Sequence, residues 1–392
     1  MIPETAVTGY GPGGEMTRST FEQRNGLIPG YLSYLRGEAP SRTWALLRPL
    51  GPVFATLVRL RNLAYDRGLL RAADPPIPVV SVGNLTLGGT NKTPLVELLA
   101  RGLGRRGLRA GIASRGYGGR SDSPLVFAGG RAERERVGDE PLLLSDRLPD
   151  VPIAVARKRI EAVRALAGRG AAIAIADDAF QHRALARAAD LVLIDATCPF
   201  GNGRSIPAGP LREPPSSLQR ADLCILTRCD LAPLETLRAL EDRLARWIAT
   251  ERIFRSRLEV ASWGVRGADP ADPAGGTVGG RSAVAFSAIG NPRSFFDVLE
   301  AQQVEARHAV VFRDHHRYSL EDLAALDAAA EQTDSEILVC TEKDLYNLPA
   351  GWTPARPLLF PRVELRLTDE PAFWKALGSC LEGRAGLEIG SS

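Results

Sequence analysis

Residues 81–94 read SVGNLTLGGTNKTP, and the fold turns on whether GGTNKT is a phosphate-binding loop. The general pattern G-x-x-x-x-G-K-[ST] asks for glycine at 86 and 91, where this chain carries Thr86 and Asn91. As a bare pattern the match fails at both positions. The flanks argue the other way. PIPVVSVGN, upstream, is a short apolar strand, and TPLVELLARGLGRRG, downstream, has the apolar spacing of a helix that stops at glycine. A strand, a glycine-rich loop and a helix N-terminus make backbone N–H groups converge on phosphate oxygens. Lys92 then reaches the β and γ phosphates, and the Thr93 hydroxyl ligates magnesium. Pro94 falls in the first helical turn, where a missing N–H is tolerated. Taken alone, GGTNKT is equally an ordinary turn between a strand and a helix.

The neighbouring segments are those of an α/β fold. LRAGIASRGYGG is a strand entering a glycine-rich turn, and AAIAIADD and ADLVLIDA are continuous apolar runs ending in acids, as buried parallel strands do. Ligands of open α/β sheets gather at the carboxyl ends of strands, where residues 83–93, 114–119, Asp177 and Asp195 all fall. A phosphate loop needs a carboxylate at the end of a neighbouring strand to hold its metal, and Asp177 and Asp178 stand there. Acids in that place also arise as plain helix caps. The expected fold class is α/β: a P-loop NTPase-like, mostly parallel sheet with helices on both faces, plus a second, smaller α/β domain.

The rest of the chain sorts around that core. Residues 1–40, rich in Gly, Pro, Thr and Ser, form a flexible N-terminal extension. Residues 41–70 alternate apolar clusters with Arg48, Arg59, Arg61 and Arg67, which predicts an amphipathic helix lying on a membrane surface or packed on the protein's own core. The phosphate-loop core is expected over 71–215. Beyond the Pro-rich LREPPSS, ADLCILTRCD, RSAVAFSAIGNP and SEILVCTEKD are strand-then-loop units assigned to a second domain, 216–350. Residues 351–392 form a C-terminal segment returning to the core. GADPADPAGGTVGG is a surface loop.

Composition narrows the function. With 392 residues, 44% of them hydrophobic, the chain buries one large core or two smaller ones. A net charge of +3 is too mild for nucleic-acid binding by bulk electrostatics. Five cysteines without a C-x-x-C pair suit reduced thiols, and four histidines are a poor zinc set. The N-terminus lacks a signal sequence and no apolar run reaches the roughly 18 residues of a membrane span, so the cytoplasm is the expected compartment. No obligate protein partner is evident. TEKD and TRCD both depart from the guanine-selecting N-K-x-D motif, which leaves ATP the better nucleotide.

SVGNLTLGGTNKTP, ASRGYGG, VGDEPLLL, ADDAFQHRAL, LVLIDATCPFGNGRSIPAGPLREP, AIGNPRSFF, FRDHHRYS and VCTEKD, in that order, resemble the tetraacyldisaccharide 4'-kinase family of lipid A biosynthesis. The resemblance runs from about residue 40 to 350. The family loop reads GGTGKT and already lacks the first glycine of the general motif, so Asn91 is the departure. Ala179 is another, standing where the family has glycine in DDGFQH. Both add a side chain near the nucleotide; asparagine tolerates a left-handed backbone, so the loop keeps its path while the new side chain crowds a phosphate.

The resemblance implies transfer of the γ-phosphate of ATP to the 4'-hydroxyl of a tetraacylated glucosamine disaccharide 1-phosphate, with Mg²⁺. ATP falls to Thr86, Leu87, Gly88, Gly89, Thr90, Asn91, Lys92 and Thr93, with Lys92 also catalytic. Asp139 in VGDEP is the candidate proton acceptor and His315, first histidine of DHH, its partner. Without the family, Asp139 reads as a helix N-cap and His315 as a turn or core histidine. Thr93, Glu140 and Asp177 are the magnesium candidates, with Asp178 behind them or in their place. Arg115, Asn202, Arg204 and Arg212 are the substrate candidates. An acylated substrate must be lifted from a bilayer, which makes the anionic inner face of the cytoplasmic membrane the partner of residues 41–70. Two other functions fit a phosphate loop: an NTPase driving a partner's conformation, and a relative impaired by Asn91 and Ala179.

Overall fold

The computed structural model describes residues 8–9, 27–37, 42–116, 124–130, 132–267 and 278–390. Most of the extension expected over 1–40, the end of the glycine-rich turn after Gly116 and most of the surface loop 267–280 fall outside them. The chain divides into two compact units, Met1–Gly30 with Val260–Glu364, and Tyr31–Glu259 with Leu365–Ser392. The first described strand, β1 (Thr8–Gly9), belongs to the smaller unit.

The larger unit is built on β2 (Val79–Asn84), β3 (Ala110–Ser114), β4 (Leu125–Phe127), β5 (Ile153–Val155), β6 (Ile173–Ala176), β7 (Ala189–Asp195), β8 (Leu223–Thr227) and the start of β9 (Ile253–Val265). Their order is β9-β8-β7-β2-β6-β3-β5-β4. Every pairing is parallel except that of β4 with β5. All residues of β2, β3, β6, β7 and β8 are buried, which explains their mostly apolar sequence: helices cover such strands. Helix Arg159–Ala167 packs Ala162, Val163 and Leu166 against Ala113, Ala154 and Ala174. Helix Leu234–Leu244 packs Leu237, Leu240 and Leu244 against Val192, Ile194 and Leu226.

Strand β8 lies in ADLCILTRCD, which the sequence pattern placed in a second domain beginning at 216. It pairs with β7 from Leu191↔Leu223 to Asp195↔Thr227, inside the larger unit. LREPPSS is no linker: Pro215–Arg220 forms a 3₁₀ turn that returns the chain to the adjacent strand. Apolar runs of this kind look alike wherever they pair, so composition could not choose between the units. At the other end, helix Glu370–Ala385 is capped by Asp369 and buries Phe373, Trp374, Leu377 and Leu381, and Arg384 grips both carboxylate oxygens of Asp222 at 2.7 Å.

In the smaller unit β10 (Ser282–Ser287), β11 (Glu305–Val311), β12 (Ile337–Cys340) and β13 (Leu358–Leu367) follow the order β1-β11-β10-β12-β13. Strand β1 is antiparallel to β11, and β11, β10, β12 and β13 pair in parallel. Thr341 and Asp344 of TEKD form a capping box, and buried Asp344 also accepts from the Ala288 amide and the Tyr318 hydroxyl, both at 2.9 Å. That motif is occupied in holding the fold.

Residues 41–70 contain two helices, Arg42–Ala45 and Leu50–Asp66. The longer one buries Gly51, Val58 and Asn62, and a β-carbon at Gly51 would stand 3.1 Å from the Ser205 carbonyl, so the helix sits close on its own unit. Its other side carries exposed Leu50, Val53, Leu57 and Leu60, continuing exposed Leu46. Arg61 turns inward to Glu213 at 2.7 Å, and Trp44 packs on Tyr31.

Candidate active site

Strand β2 ends at Asn84, whose side chain builds the loop that follows. Its amide nitrogen donates to the Thr86 carbonyl at 2.9 Å and the Gly88 carbonyl at 3.5 Å. The Leu87 amide donates to the Pro210 carbonyl at 2.8 Å. Leu87, Gly88 and Gly89 are exposed, whereas Thr86 and Thr90 are buried. Gly88 has φ 111, open to glycine alone at little cost. Asn91 has the left-handed backbone that asparagine tolerates (φ 62, ψ 36) and stands at the N-cap position of helix Lys92–Arg105. Lys92 is thereby set at the helix start, its ammonium 3.4 Å from Asn84 Oδ1 and 3.4 Å from Asp178 Oδ1. Half-buried Thr93 follows it.

The acid turn arrives from the next strand, β6. Gly83 lets it approach, since a β-carbon there would meet the Phe180 β-carbon at 2.6 Å. Arg159 Nη2 donates to the Asp177 carbonyl at 2.6 Å. Arg187 Nη1 donates to the Ala179 and Phe180 carbonyls, and its Nη2 to the His182 carbonyl at 2.7 Å. Gln181 Nε2 donates to the Asn84 carbonyl at 2.8 Å, linking the two loops. The Ala179 methyl packs in the core near Val79 and Leu185, away from the role of crowding a nucleotide.

The two acids have different surroundings. Asp178 accepts from Arg212 Nη1 on both oxygens at 3.0 Å and faces Lys92. Burial alone would raise its pKa, but Lys92 and then Arg212 hold it below the usual carboxylate value. Asp177 is 5% exposed, and burial first, then Glu140, push its carboxyl up to about 6 against the pull of Lys92. Among the described residues its Oδ1 and the Thr90 hydroxyl have no hydrogen-bond partner. A buried carboxylate oxygen without a donor, beside a second acid, is the electrostatic situation a divalent cation relieves. No group of three or more His, Cys, Asp or Glu among the described residues forms a metal cluster. Magnesium does not require one, since one or two carboxylates, a hydroxyl and phosphate oxygens suffice. Asp177 beside Glu140 has the donor chemistry for it, and Asp178 is paired with Lys92 and Arg212.

Asp139 and Glu140 open helix Asp139–Arg147, and buried Asp139 accepts from the Glu140 amide at 3.0 Å. His315, in the smaller unit, has φ 59 and donates its amide to the Ala288 carbonyl, which ties the DHH turn to the end of β10. Its Nε2 is 3.9 Å from Asp314, while His316 is engaged with Asp322 at 2.9 Å and stacked on Phe312. Arg115 is exposed at the end of β3, and its charge contributes, after burial, Arg159 and Arg187, to lowering the pKa of His182 in the acid turn. Asn202 spends its amide on the Tyr34 and Ala208 carbonyls, at 3.1 and 2.9 Å, shaping the turn that carries exposed Arg204. Arg212, the remaining substrate candidate, pairs with Asp178. Asn84, Arg159, Gln181 and Arg187 were missed as site builders. Their signal was faint: a polar residue closing an apolar strand, and arginines beside acid-tipped runs.

A family model described as Tetraacyldisaccharide-1-P 4'-kinase matches residues 43–382. The chain belongs to this family. A tetraacyldisaccharide 4'-kinase of Anaeromyxobacter dehalogenans is 41% identical over 82% of this chain and 83% of its own, and that of Syntrophus aciditrophicus is 37% identical over 81% and 87%. Among solved structures, LpxK from Aquifex aeolicus, crystallised in complex with ATP, superposes with a TM-score of 0.68 at 28% identity, covering 86% of this chain and 99% of that one.

Proposed function

We infer that this chain is an ATP- and Mg²⁺-dependent kinase of lipid A biosynthesis that phosphorylates the 4'-hydroxyl of a tetraacylated glucosamine disaccharide 1-phosphate. The observation that carries this reading is Lys92, held between Asn84 and Asp178 at a helix start beside buried Asp177, in a chain of that kinase family. Residues 86–93 would bind the phosphates, with Lys92 stabilising the charge of the transferring group. Magnesium, when bound, neutralises phosphate oxygens, and Asp177, Glu140 and Thr93 are the residues to hold it. Lys92 and then Arg212 keep Asp178 ionised, and Arg212 holds it in place.

A sugar hydroxyl is a poor nucleophile near neutral pH, so a carboxylate must accept its proton as the new bond forms. Asp139 takes that role, and His315 is the second residue proposed for catalysis. Exposed Arg115 and Arg204 serve the anionic and hydroxyl-rich parts of the substrate, the latter presented by the turn that Asn202 shapes. The outward row of Leu46, Leu50, Val53, Leu57 and Leu60, flanked by exposed Arg48, Arg59 and Arg67, would enter the acyl boundary of an anionic membrane where the lipid resides. No described helix is long and apolar enough to cross one.

The deciding experiment incubates the full chain with ATP, magnesium and the lipid disaccharide. Phosphorylated lipid is expected. Lipid-independent phosphate release would make the protein an NTPase, and neither product would make it a relative without catalysis. Flotation with anionic vesicles should depend on Leu57: Leu57→Glu stays with the soluble fraction, and salt weakens attachment of the unmodified chain without abolishing it.

A further inference from the structure

The strand order sets β7 between β2 and β8, so the loops after all three emerge side by side. Into that row projects Arg228, the arginine of TRCD, which has no part in the chemistry above. It is 4% exposed and adopts a left-handed backbone (φ 57), uncommon for a long side chain. Nη1 pairs with Asp195 Oδ2 at the end of β7, while Asp195 Oδ1 accepts from the Thr197 amide at 3.0 Å and hydroxyl at 2.7 Å. Nη2 reaches into the phosphate loop, 3.2 Å from the Gly89 carbonyl and 3.5 Å from Asn91 Oδ1.

This contact sets the orientation of the Asn91 amide, because the opposite one would place donor against donor. It also gives the side chain at 91 a use. A glycine there has no side-chain acceptor to offer, whereas Asn91 offers one without leaving the left-handed conformation it adopts at the helix start. The charge of Arg228 is already matched by Asp195, so the guanidinium acts on the loop as a fixed donor.

We propose that Arg228 is a positioning residue for the phosphate loop, holding it through the Gly89 carbonyl and the Asn91 side chain and so setting affinity for the nucleotide phosphates. A loop held in place before binding loses less conformational freedom when the phosphates arrive. The proposal rests on the kinase reading only in taking the ligand to be a nucleotide.

The test titrates Mg·ADP into the full chain by calorimetry and measures KM for ATP and for the lipid in parallel. Arg228→Met should weaken ADP about tenfold and raise KM for ATP while leaving KM for the lipid unchanged. Asn91→Gly should weaken ADP about threefold, and the double variant should be no worse than Arg228→Met, since residues acting through one contact are not additive. Arg228→Lys, which keeps the charge on Asp195 but not the fork, should fall between. Melting without nucleotide identifies variants that fail to fold. Should Arg228→Met be one, Asp195→Asn/Arg228→Met replaces it with both charges removed, and Arg228→Lys with Asn91→Gly supplies the same cycle. Unchanged ADP affinity in the folded Arg228 variants, or equal Asn91→Gly losses in both backgrounds, overturns the proposal. Lipid phosphorylation by the unmodified chain reports separately on the kinase reading.

Discussion

Strands β6 and β7 leave the sheet in the same direction, each an apolar run ending in an aspartate, yet their acids have opposite settings. Asp195 meets a buried arginine and a threonine that satisfy both its oxygens. Asp177 meets Glu140, keeps an oxygen without a donor among the described residues, and has its pKa pushed up to about 6 by burial and that second acid. A satisfied buried ion pair is costly to break but does little chemistry; an under-satisfied acid next to a phosphate loop stores binding energy for a cation. The two strand ends thus separate scaffold from site.

The largest effect expected concerns a third buried acid, Asp139. If it takes the substrate proton, Asp139→Ala lowers turnover by roughly 10²–10⁴-fold. The double variant with His315→Ala is then little worse than the poorer single one. Near-normal turnover in Asp139→Ala moves that acid to the scaffold class with Asp195. For Asp195→Asn the expected loss is in stability, about 3 kcal/mol in denaturant titration, because the buried ion pair with Arg228 is broken. A variant as stable as the parent would erase the contrast between the two strand ends.

Asp177→Asn should do the reverse, costing on the order of 10² in magnesium-dependent turnover with little or no loss of stability in chelator. The smallest effect is its pH signature. With the folded pKa near 6 and the unfolded one about 3.9, the protonated acid favours the fold. This contribution is full below about pH 4 and is lost as pH rises through 6. Metal-free protein should therefore lose the Asp177 contribution between pH 4 and 7, and Asp177→Asn should flatten that part of the curve. A parent and variant with parallel curves would mean that Asp177 is as well satisfied as Asp195.

The phosphate loop was legible because its evidence is local: apolar strand, glycines, lysine, helix start. Asp177, Asp178 and Glu140 were legible as acids at element ends, but not their division of labour. Only the fold turns Arg212 onto Asp178, a pairing between residues 34 positions apart that no local pattern announces. Asn91 was legible as a departure that the backbone tolerates. That its side chain meets an arginine 137 positions away was not.

Strand character, the loop's path and the family blocks follow from the sequence itself, since burial on both faces writes unbroken apolar runs and a left-handed turn accepts few residue types. The partner of each charged side chain, the assignment of β8 to the larger unit, and the inward turn of Arg61 beside an outward leucine row were decided by tertiary structure. The physical reason is range: periodicity reports whether a residue is covered, while strand order β2-β7-β8 chooses which distant ends stand close enough to share a hydrogen bond.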